Sequence, residues 1–265
     1  VRFEKFRKHF LIGNDSYNSG LYGNMMLYIP YKNSQLNLFL SQRETGNQQS
    51  PDGELENTQS LTEIYKLGFT RYSKKGYLNL ELENYNMSYG IPPYPNAHED
   101  GVDILLLKNS HRINYHRDLN LKNFNQLNFK YNFIDYVHLE MVNDNENTND
   151  IQEYIDDGNF HVSLAKITKN YKLELSGEKI LYGLELTERE FNPAGFYLTP
   201  TTHEKRSSFY GFREFTFKKL GIDFQSSFRL GQLLVKPGQY DINSQAANLI
   251  LKDIEGNPIL DENGN

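Results

Sequence analysis

The 265-residue sequence contains no cysteine, no long apolar run and almost no helical periodicity. The absence of cysteine excludes a disulfide scaffold and thiol chemistry, but it leaves an outer-membrane or a cytosolic location open. No stretch approaches the roughly 18 consecutive apolar residues of a transmembrane helix. The chain begins with Val1 rather than Met, shows no signal-peptide pattern and ends without a closing element, so we expect a piece of a longer protein.

Aromatic residues, by contrast, are abundant, with 19 Tyr and 17 Phe making up 14% of the chain. Mean hydropathy is low at −0.68, but a disordered chain would be short of aromatic side chains, so we expect an ordered domain. The net charge of −6 gives no reason to expect nucleic acid as a partner.

Apolar and polar residues alternate along much of the sequence. Leu78, Leu80 and Leu82, for example, are separated by Asn79 and Glu81. Because successive side chains of a strand point to opposite faces, this pattern predicts strands with one apolar and one polar face. The same alternation occurs in 21–29, 36–41, 127–133 and 222–229.

The connections between these segments alternate in length, and the short ones are basic while three of the long ones are acidic. This rhythm, between strands of about ten residues, is typical of an outer-membrane β-barrel, whose short turns and long loops lie on opposite sides of the membrane. The short connections are 31–34, 73–76, a part of 116–123, and 218–221; the long ones are 44–58, 88–101, 143–158 and 189–206.

About eleven strands result from this count. Residues 158–187 are ambiguous, because the alternation changes phase there: the turn lies either at 176–179 or at 168–171 with a bulge later. Single-chain bacterial barrels have even strand numbers, so an odd count again indicates a piece. A soluble β-sandwich or β-helix also has strands with one apolar face and stays open as an alternative.

Several segments resemble the barrel of TonB-dependent outer-membrane receptors, in particular the branch that includes zinc-uptake receptors. The matching pieces hold their order and spacing over nearly the whole chain. They are Tyr-Gly-Ile-Pro at 89–92, His-Glu-Asp at 98–100, a Gly-Val-aliphatic restart at 101–104, Asp-Tyr-x-His-x-Glu at 135–140, and a Phe-x-Pro segment leading into an aromatic strand with a glutamate over 191–214.

This resemblance implies an antiparallel up-and-down transmembrane β-barrel of 22 strands, of which residues 1–265 would form about half. It further implies an outer-membrane location, contact with membrane lipid and lipopolysaccharide, and a plug domain that meets the TonB energy-coupling protein. The expected function is uptake of a metal, a metal chelate or another scarce nutrient. The chain shows neither a plug, nor a TonB box, nor a C-terminal aromatic residue, so we expect these parts to be missing from it.

The best candidate ligand cluster is His98, Glu99 and Asp100, which follows three prolines in an expected external loop. Imidazole and carboxylate groups suit divalent transition metals. Three adjacent residues cannot all face one ion, so partners are needed from another loop, such as His203, Glu204 or the acidic residues of 143–158. The alternative is an ordinary solvated loop, and the identity of any metal stays open.

His138 and Glu140 form a second candidate pair. They lie two residues apart on one strand, on the face opposite Val137, Leu139 and Met141. In a barrel they would point into the lumen, where contact with a plug or with water is an alternative to ligand binding.

Catalytic patterns are missing from the sequence: it has no Gly-x-Ser-x-Gly, no His-Glu-x-x-His and no phosphate-binding glycine-rich loop. We therefore expect neither an enzyme nor a cofactor. Two other functions stay open beside the receptor, namely a porin-like passive channel and a soluble glycan-binding β-domain.

Overall fold

The computed structural model describes residues 2–94, 101–142, 160–195 and 200–238. Within these ranges the chain is all β, with one antiparallel sheet of eleven strands and a separate two-stranded hairpin. The strands are β1 (Arg7–Asp15), β2 (Gly20–Tyr31), β3 (Ser34–Thr45), β4 (Gln48–Ser50), β5 (Gly53–Leu55), β6 (Ser60–Ser73), β7 (Gly76–Ile91), β8 (Val102–Asp118), β9 (Gln126–Val142), β10 (Phe160–Ser176), β11 (Ile180–Gly195), β12 (Thr202–Phe217) and β13 (Ile222–Pro237).

Each strand of the large sheet pairs with the next strand along the chain, in the order β1-β2-β3-β6-β7-β8-β9-β10-β11-β12-β13. The hairpin β4–β5 lies in the connection between β3 and β6. The predictions of an all-β, antiparallel, up-and-down sheet and of eleven strands are therefore confirmed. Among the described pairings, the end strands β1 and β13 each have a neighbour on one side only.

The sheet has two chemically distinct faces, which β7 shows clearly. Leu78, Leu80 and Leu82 share the face that we call the outer face, and they are 37%, 40% and 50% exposed. Glu81 and Glu83 lie on the opposite, inner face, and Glu83 is only 9% exposed. Because directly opposed residues on neighbouring strands share a face, these two faces continue across the whole sheet.

Most of the apolar outer face has no layer packed on it among the described residues. A small cluster of Leu105, Leu139 and Met141 near the ends of β8 and β9 is buried. Along the rest of the sheet, many large outer-face side chains are more than a third exposed. These include Leu67, Phe69, Leu78, Leu80, Leu82, Leu173, Leu184, Phe209 and Leu230. The sheet is thus a single layer over most of its area.

The connections lie at two ends of the sheet. At the end that we call the short-turn end, strands are joined by 32–33, 74–75, 119–125, 177–179 and 218–221. The opposite, long-loop end carries 46–59, 92–101, 143–159 and 196–201, together with one short connection at 16–19. The predicted separation of short and long connections holds only in part: 16–19 is short although it lies at the long-loop end, and 196–201 there is shorter, with six residues, than 119–125 at the short-turn end, with seven.

The ambiguity in 158–187 is resolved in favour of the turn at 176–179. β10 ends at Ser176 and β11 begins at Ile180. The Gly177 nitrogen donates a hydrogen bond to the Ile180 oxygen at 2.8 Å. A Cβ atom at Gly177 would lie 2.0 Å from the backbone oxygen of Asn123, so only glycine fits this close approach. The alternative turn at 168–171 is wrong, because those residues lie inside β10.

The expectation of a long loop at 189–206 is also wrong. β11 continues to Gly195 and β12 already begins at Thr202. The charged residues in these segments are paired across the two strands: Arg189 lies 3.0 Å from Glu204, and Lys205 lies 2.9 Å from Glu188. Cross-strand ion pairs put charge on both faces, and this removed the apolar alternation that would have predicted a strand.

Candidate functional site

The inner face carries a row of ion pairs centred on Glu83 of β7. Its carboxylate accepts from Lys66 Nζ on β6 at 2.8 Å and from Lys108 Nζ on β8 at 2.9 Å. The Glu83 side chain is 8% exposed, whereas both lysines are about a third exposed. Each lysine also lies against an aromatic ring, Lys66 over Phe39 and Lys108 over Tyr85. These contacts hold three strands together through one carboxylate.

Polar contacts continue on the inner face toward the short-turn end. Arg112 of β8 pairs with Glu81 of β7. Asn79 and Asn114 form the next inner-face pair of β7 and β8 toward the short-turn end. Asn79 Nδ2 donates to Thr70 Oγ1 at 3.0 Å, and Asn114 Nδ2 donates to Asn79 Oδ1 at 3.1 Å. These polar groups of the inner face therefore satisfy one another across the strands, although elsewhere on it Asn132 Oδ1 and Thr168 Oγ1 are buried without a hydrogen-bond partner among the described residues.

A second cluster surrounds Tyr210 on the inner face of β10–β13. The Tyr210 hydroxyl donates to Glu174 Oε1 at 2.9 Å. Lys172 Nζ and the Arg229 guanidinium lie 5.7 Å and 5.4 Å from the centre of the Tyr210 ring. Arg229 in turn donates to Glu185 Oε2 at 2.7 Å. Cations and anions are thus interleaved here too, with no excess of one sign.

The predicted pair His138 and Glu140 lies on β9 and shares the inner face. Nε2 of His138 is 3.5 Å from Oε1 of Glu140, and the Tyr136 hydroxyl is 3.5 Å from Nδ1 of the same ring. Opposite the pair, β8 contributes Leu106 and Ile104. Both side chains lie on the face of β9 opposite Val137, Leu139 and Met141, and their direct neighbours on β8 are apolar. Their exposure to a lumen stays a prediction.

His203 and Glu204 are neighbours on β12, so their side chains point to opposite faces of the sheet. Glu204 lies on the inner face, 3.0 Å from Arg189 and 3.4 Å from Arg206. His203 lies on the outer face, with Nδ1 3.6 Å from Glu190 Oε1. The two side chains do not line one common site.

His98, Glu99 and Asp100 lie outside the described residues, but the base of their loop is described. Asn57, from the 46–59 connection, donates through Nδ2 to the backbone oxygens of Ile91 (2.9 Å) and Val102 (3.1 Å). These are the last residue of β7 and the first residue of β8. Gln59 Nε2 donates to Asn57 Oδ1 at 3.1 Å. Asn57 therefore ties one long connection to the neck of the other; we call this arrangement the Asn57 clamp.

The sequence analysis missed the Asn57 clamp, because a single asparagine in a polar loop carries no pattern of its own. The signal was present in the two glycines at the neck, Gly90 and Gly101, each of which would place a Cβ atom against Asn57. The ion pairs around Glu83 could be predicted in part, because the alternation of apolar and polar residues puts Lys66, Glu83 and Lys108 at polar positions of their strands. Their contact depends on strand register, which the sequence leaves open.

In the described ranges, no group of three or more His, Asp and Glu side chains is arranged to hold a metal ion. No helix long and apolar enough to cross a membrane occurs in the part of the chain that the structure describes. No known protein family and no curated protein matches the chain. Its function must therefore be inferred from the fold and from the side chains on its two faces.

Proposed function

We propose that this chain is the barrel portion of a TonB-dependent receptor of the outer membrane, which takes up a metal, a metal chelate or another scarce nutrient. One observation carries the proposal: a single-layer antiparallel meander has an exposed apolar outer face and an ion-paired polar inner face. Residues 89–104, 135–140 and 191–214 resemble such receptors, and this resemblance is the reason for proposing this class of barrel rather than another.

The outer face favours a lipid environment on energetic grounds. Burying apolar surface contributes about 25 cal/mol for each Å² removed from water, so a wide apolar face left in water is unfavourable. A soluble sandwich would bury this face against a second sheet, as its core. Over most of the sheet, the described residues provide no such layer, and lipid chains would cover residues such as Leu80 and Leu184 instead.

Strand lengths and backbone pairing fit the same environment. In a meander, the backbone N–H and C=O groups of each strand that has two neighbours form hydrogen bonds with those neighbours. Such pairing is required in lipid, where no water is present. A membrane-spanning strand needs about 9–11 residues, and β6–β13 have 14 to 17 residues. The surplus would extend beyond the lipid, which accounts for charged outer-face residues close to a strand end, such as Lys205, the fourth residue of β12.

The inner face suits a hydrated or protein-filled lumen. Its carboxylates are paired with lysine and arginine across the strands, so the face presents hydrogen-bonding groups without a large excess of charge. A hydrophilic solute or a plug domain can exchange contacts with such groups. The Asn57 clamp fixes the neck of the connection whose sequence contains His98, Glu99 and Asp100.

The proposal is tested by uptake in cells that carry the full-length protein. Radiolabelled zinc and a radiolabelled iron chelate are supplied at limiting concentration, with and without a functional TonB protein. Uptake that disappears without TonB supports the receptor. Uptake that persists without TonB indicates a passive channel, and a protein that stays monodisperse in buffer without detergent indicates a soluble domain.

A further inference from the structure

A concave site lies at the short-turn end of the sheet, between the β6–β7 turn and the last residues of β8. The Asp118 nitrogen donates to the Lys75 oxygen, which holds the turn against β8. Gly76, with φ of +148°, permits this approach, because a Cβ atom there would lie 2.0 Å from the His116 oxygen. The site has a volume of about 440 Å³ and is lined by Ser73, Lys74, Lys75, Tyr115, His116 and Arg117.

The positive charge of this site is not neutralised within the described residues. The side chains of Lys74, Lys75 and Arg117 form no ion pair and no hydrogen bond there. Asp118 is the nearest acidic residue in sequence, and its carboxylate lies 3.2 Å from Nε2 of His116. His116 also lies 2.8 Å from Asn128 Oδ1 through its other ring nitrogen. Three cationic side chains therefore remain available to an anion.

Another turn at the same end of the sheet shows the contrast. Lys179, in the 177–179 turn, lies 3.0 Å from Glu214 Oε1. This hydrogen-bonded carboxylate raises the pKa of Lys179 above its ordinary value. The charge of Lys179 is thus matched by a partner on β12, whereas the charges at the β6–β7 turn have none among the described residues.

The cationic site borders the apolar outer face. Strand register puts Arg117 opposite Gly76 and Tyr115 opposite Leu78, so Arg117 and Tyr115 share the outer face with Leu78 and Leu80. Phe129 lies opposite Tyr115 on the next strand. A molecule that fits both parts needs an anionic head and an apolar tail. Tyrosine at the border between them is typical of a membrane interface.

We propose that this site binds the headgroup of an anionic membrane phospholipid through its phosphate, and that the acyl chains lie along Leu78, Leu80 and Phe129. The inference depends on the proposed membrane location of the sheet. Lysine and arginine form charge-assisted hydrogen bonds with phosphate oxygens, and arginine can donate two in parallel.

The test uses the full-length protein in phosphatidylcholine bilayers that contain a small amount of spin-labelled phosphatidylglycerol or spin-labelled phosphatidylcholine. The measured quantity is the association of phosphatidylglycerol relative to phosphatidylcholine. The double variant Lys75→Gln/Arg117→Gln is expected to lower it by roughly fivefold for each side chain lost. The control Lys218→Gln/Lys219→Gln removes the same charge from the 218–221 turn and is expected to leave it almost unchanged.

Equal losses in the two double variants would overturn the site, because they would indicate attraction by general surface charge. A competition with inorganic phosphate, with chloride at equal ionic strength as the control, distinguishes a site for a lipid from a site for a free anion. Release of the labelled lipid by phosphate alone would overturn the lipid assignment, and its retention supports it. If restricted lipid is observed but shows no preference for phosphatidylglycerol over phosphatidylcholine, only this site is overturned. If neither labelled lipid is motionally restricted, the membrane location is overturned as well.

Discussion

A Cβ atom on Gly90 would lie 2.2 Å from Oδ1 of Asn57, so the asparagine side chain occupies the space that any larger residue at position 90 would need. Gly101, on the other side of the same loop, has φ of +82°, and its Cβ would lie 2.7 Å from Asn57 Nδ2. The two glycines therefore leave room for the Asn57 clamp, which joins two long connections at one end of the sheet.

The Asn57 clamp predicts a measurable contribution to stability. Asn57→Ala leaves the Ile91 and Val102 oxygens without this donor, which should lower the free energy of unfolding by about 1–3 kcal/mol. Proteolysis within 92–101 should become faster, because the neck of the loop is no longer held. Both effects can be measured on protein refolded into lipid vesicles, by denaturant titration and by limited proteolysis.

A pair of glycine variants controls for general damage to the sheet. Gly90→Ala should reproduce the faster cleavage, since the added methyl group displaces Asn57. Gly23→Ala should not, because a Cβ there meets its nearest neighbours at 3.6 Å and 3.9 Å, which are ordinary contacts. Similar cleavage in both variants would contradict the clamp.

The strands were predictable from sequence where one face is apolar and exposed. Leu78, Leu80 and Leu82 repeat every second residue, and the structure places them on one face. Around Arg189 and Glu204 the same reasoning failed, because ion pairs on both faces of β11 and β12 look like a polar loop. Local sequence does not contain the partner strand, so pairing of this kind cannot be seen in it.

The candidate site was predictable to a smaller extent. His138 and Glu140 were placed on one face because alternation within one strand is enough to do so. The clamp brings Asn57 against residues more than thirty positions away, such as Ile91 (34 positions). Such a contact depends on the register of β6, β7 and β8 together, so it cannot be predicted from the spacing of residues within any one of these segments.

The two faces should differ in their tolerance of arginine. Phe133→Arg places a charge on the outer face near the middle of β9, at the eighth of its 17 residues, and should lower the free energy of folding into a bilayer by about 2–4 kcal/mol. Asn128→Arg changes the inner face on the same strand, and it should cost about 1 kcal/mol through the lost hydrogen bond with His116. Equal costs in a bilayer-folding titration would argue for a two-sided soluble core.

Glu83, on the inner face, should contribute more to stability than the more exposed Glu188 of the outer face. Glu83→Gln removes the charge that pairs with Lys66 and Lys108, and it should lower the free energy of unfolding by about 1–3 kcal/mol. Glu188→Gln breaks the more exposed pair with Lys205 and should have a much smaller effect, because exposed pairs contribute little. The same bilayer titration measures both; a larger loss for Glu188→Gln would contradict the assigned burial.

The ligand role of His98 and Glu99 stays a prediction that uptake can test. The double variant His98→Ala/Glu99→Ala removes an imidazole and a carboxylate, both ligands of divalent metals. Uptake of radiolabelled zinc or iron chelate at limiting concentration should fall, the defect should shrink as metal is raised, and the amount of folded protein should not change. His111→Ala, on the outer face of β8 opposite Leu82, serves as the control. Normal uptake by the double variant would remove both residues from any binding role.

The most direct test of the membrane-embedded sheet uses six successive positions of β7. Because the chain contains no cysteine, single cysteine variants at residues 78 to 83 each provide one site for a nitroxide spin label. The labelled full-length protein in lipid bilayers is measured with oxygen, which concentrates in lipid, and with a water-soluble nickel chelate. Labels at Leu78, Leu80 and Leu82 should collide with oxygen and not with nickel, and labels at 79, 81 and 83 should lack this lipid signature. Uniform accessibility at all six positions, or leucine positions closed to both reagents, would contradict the account.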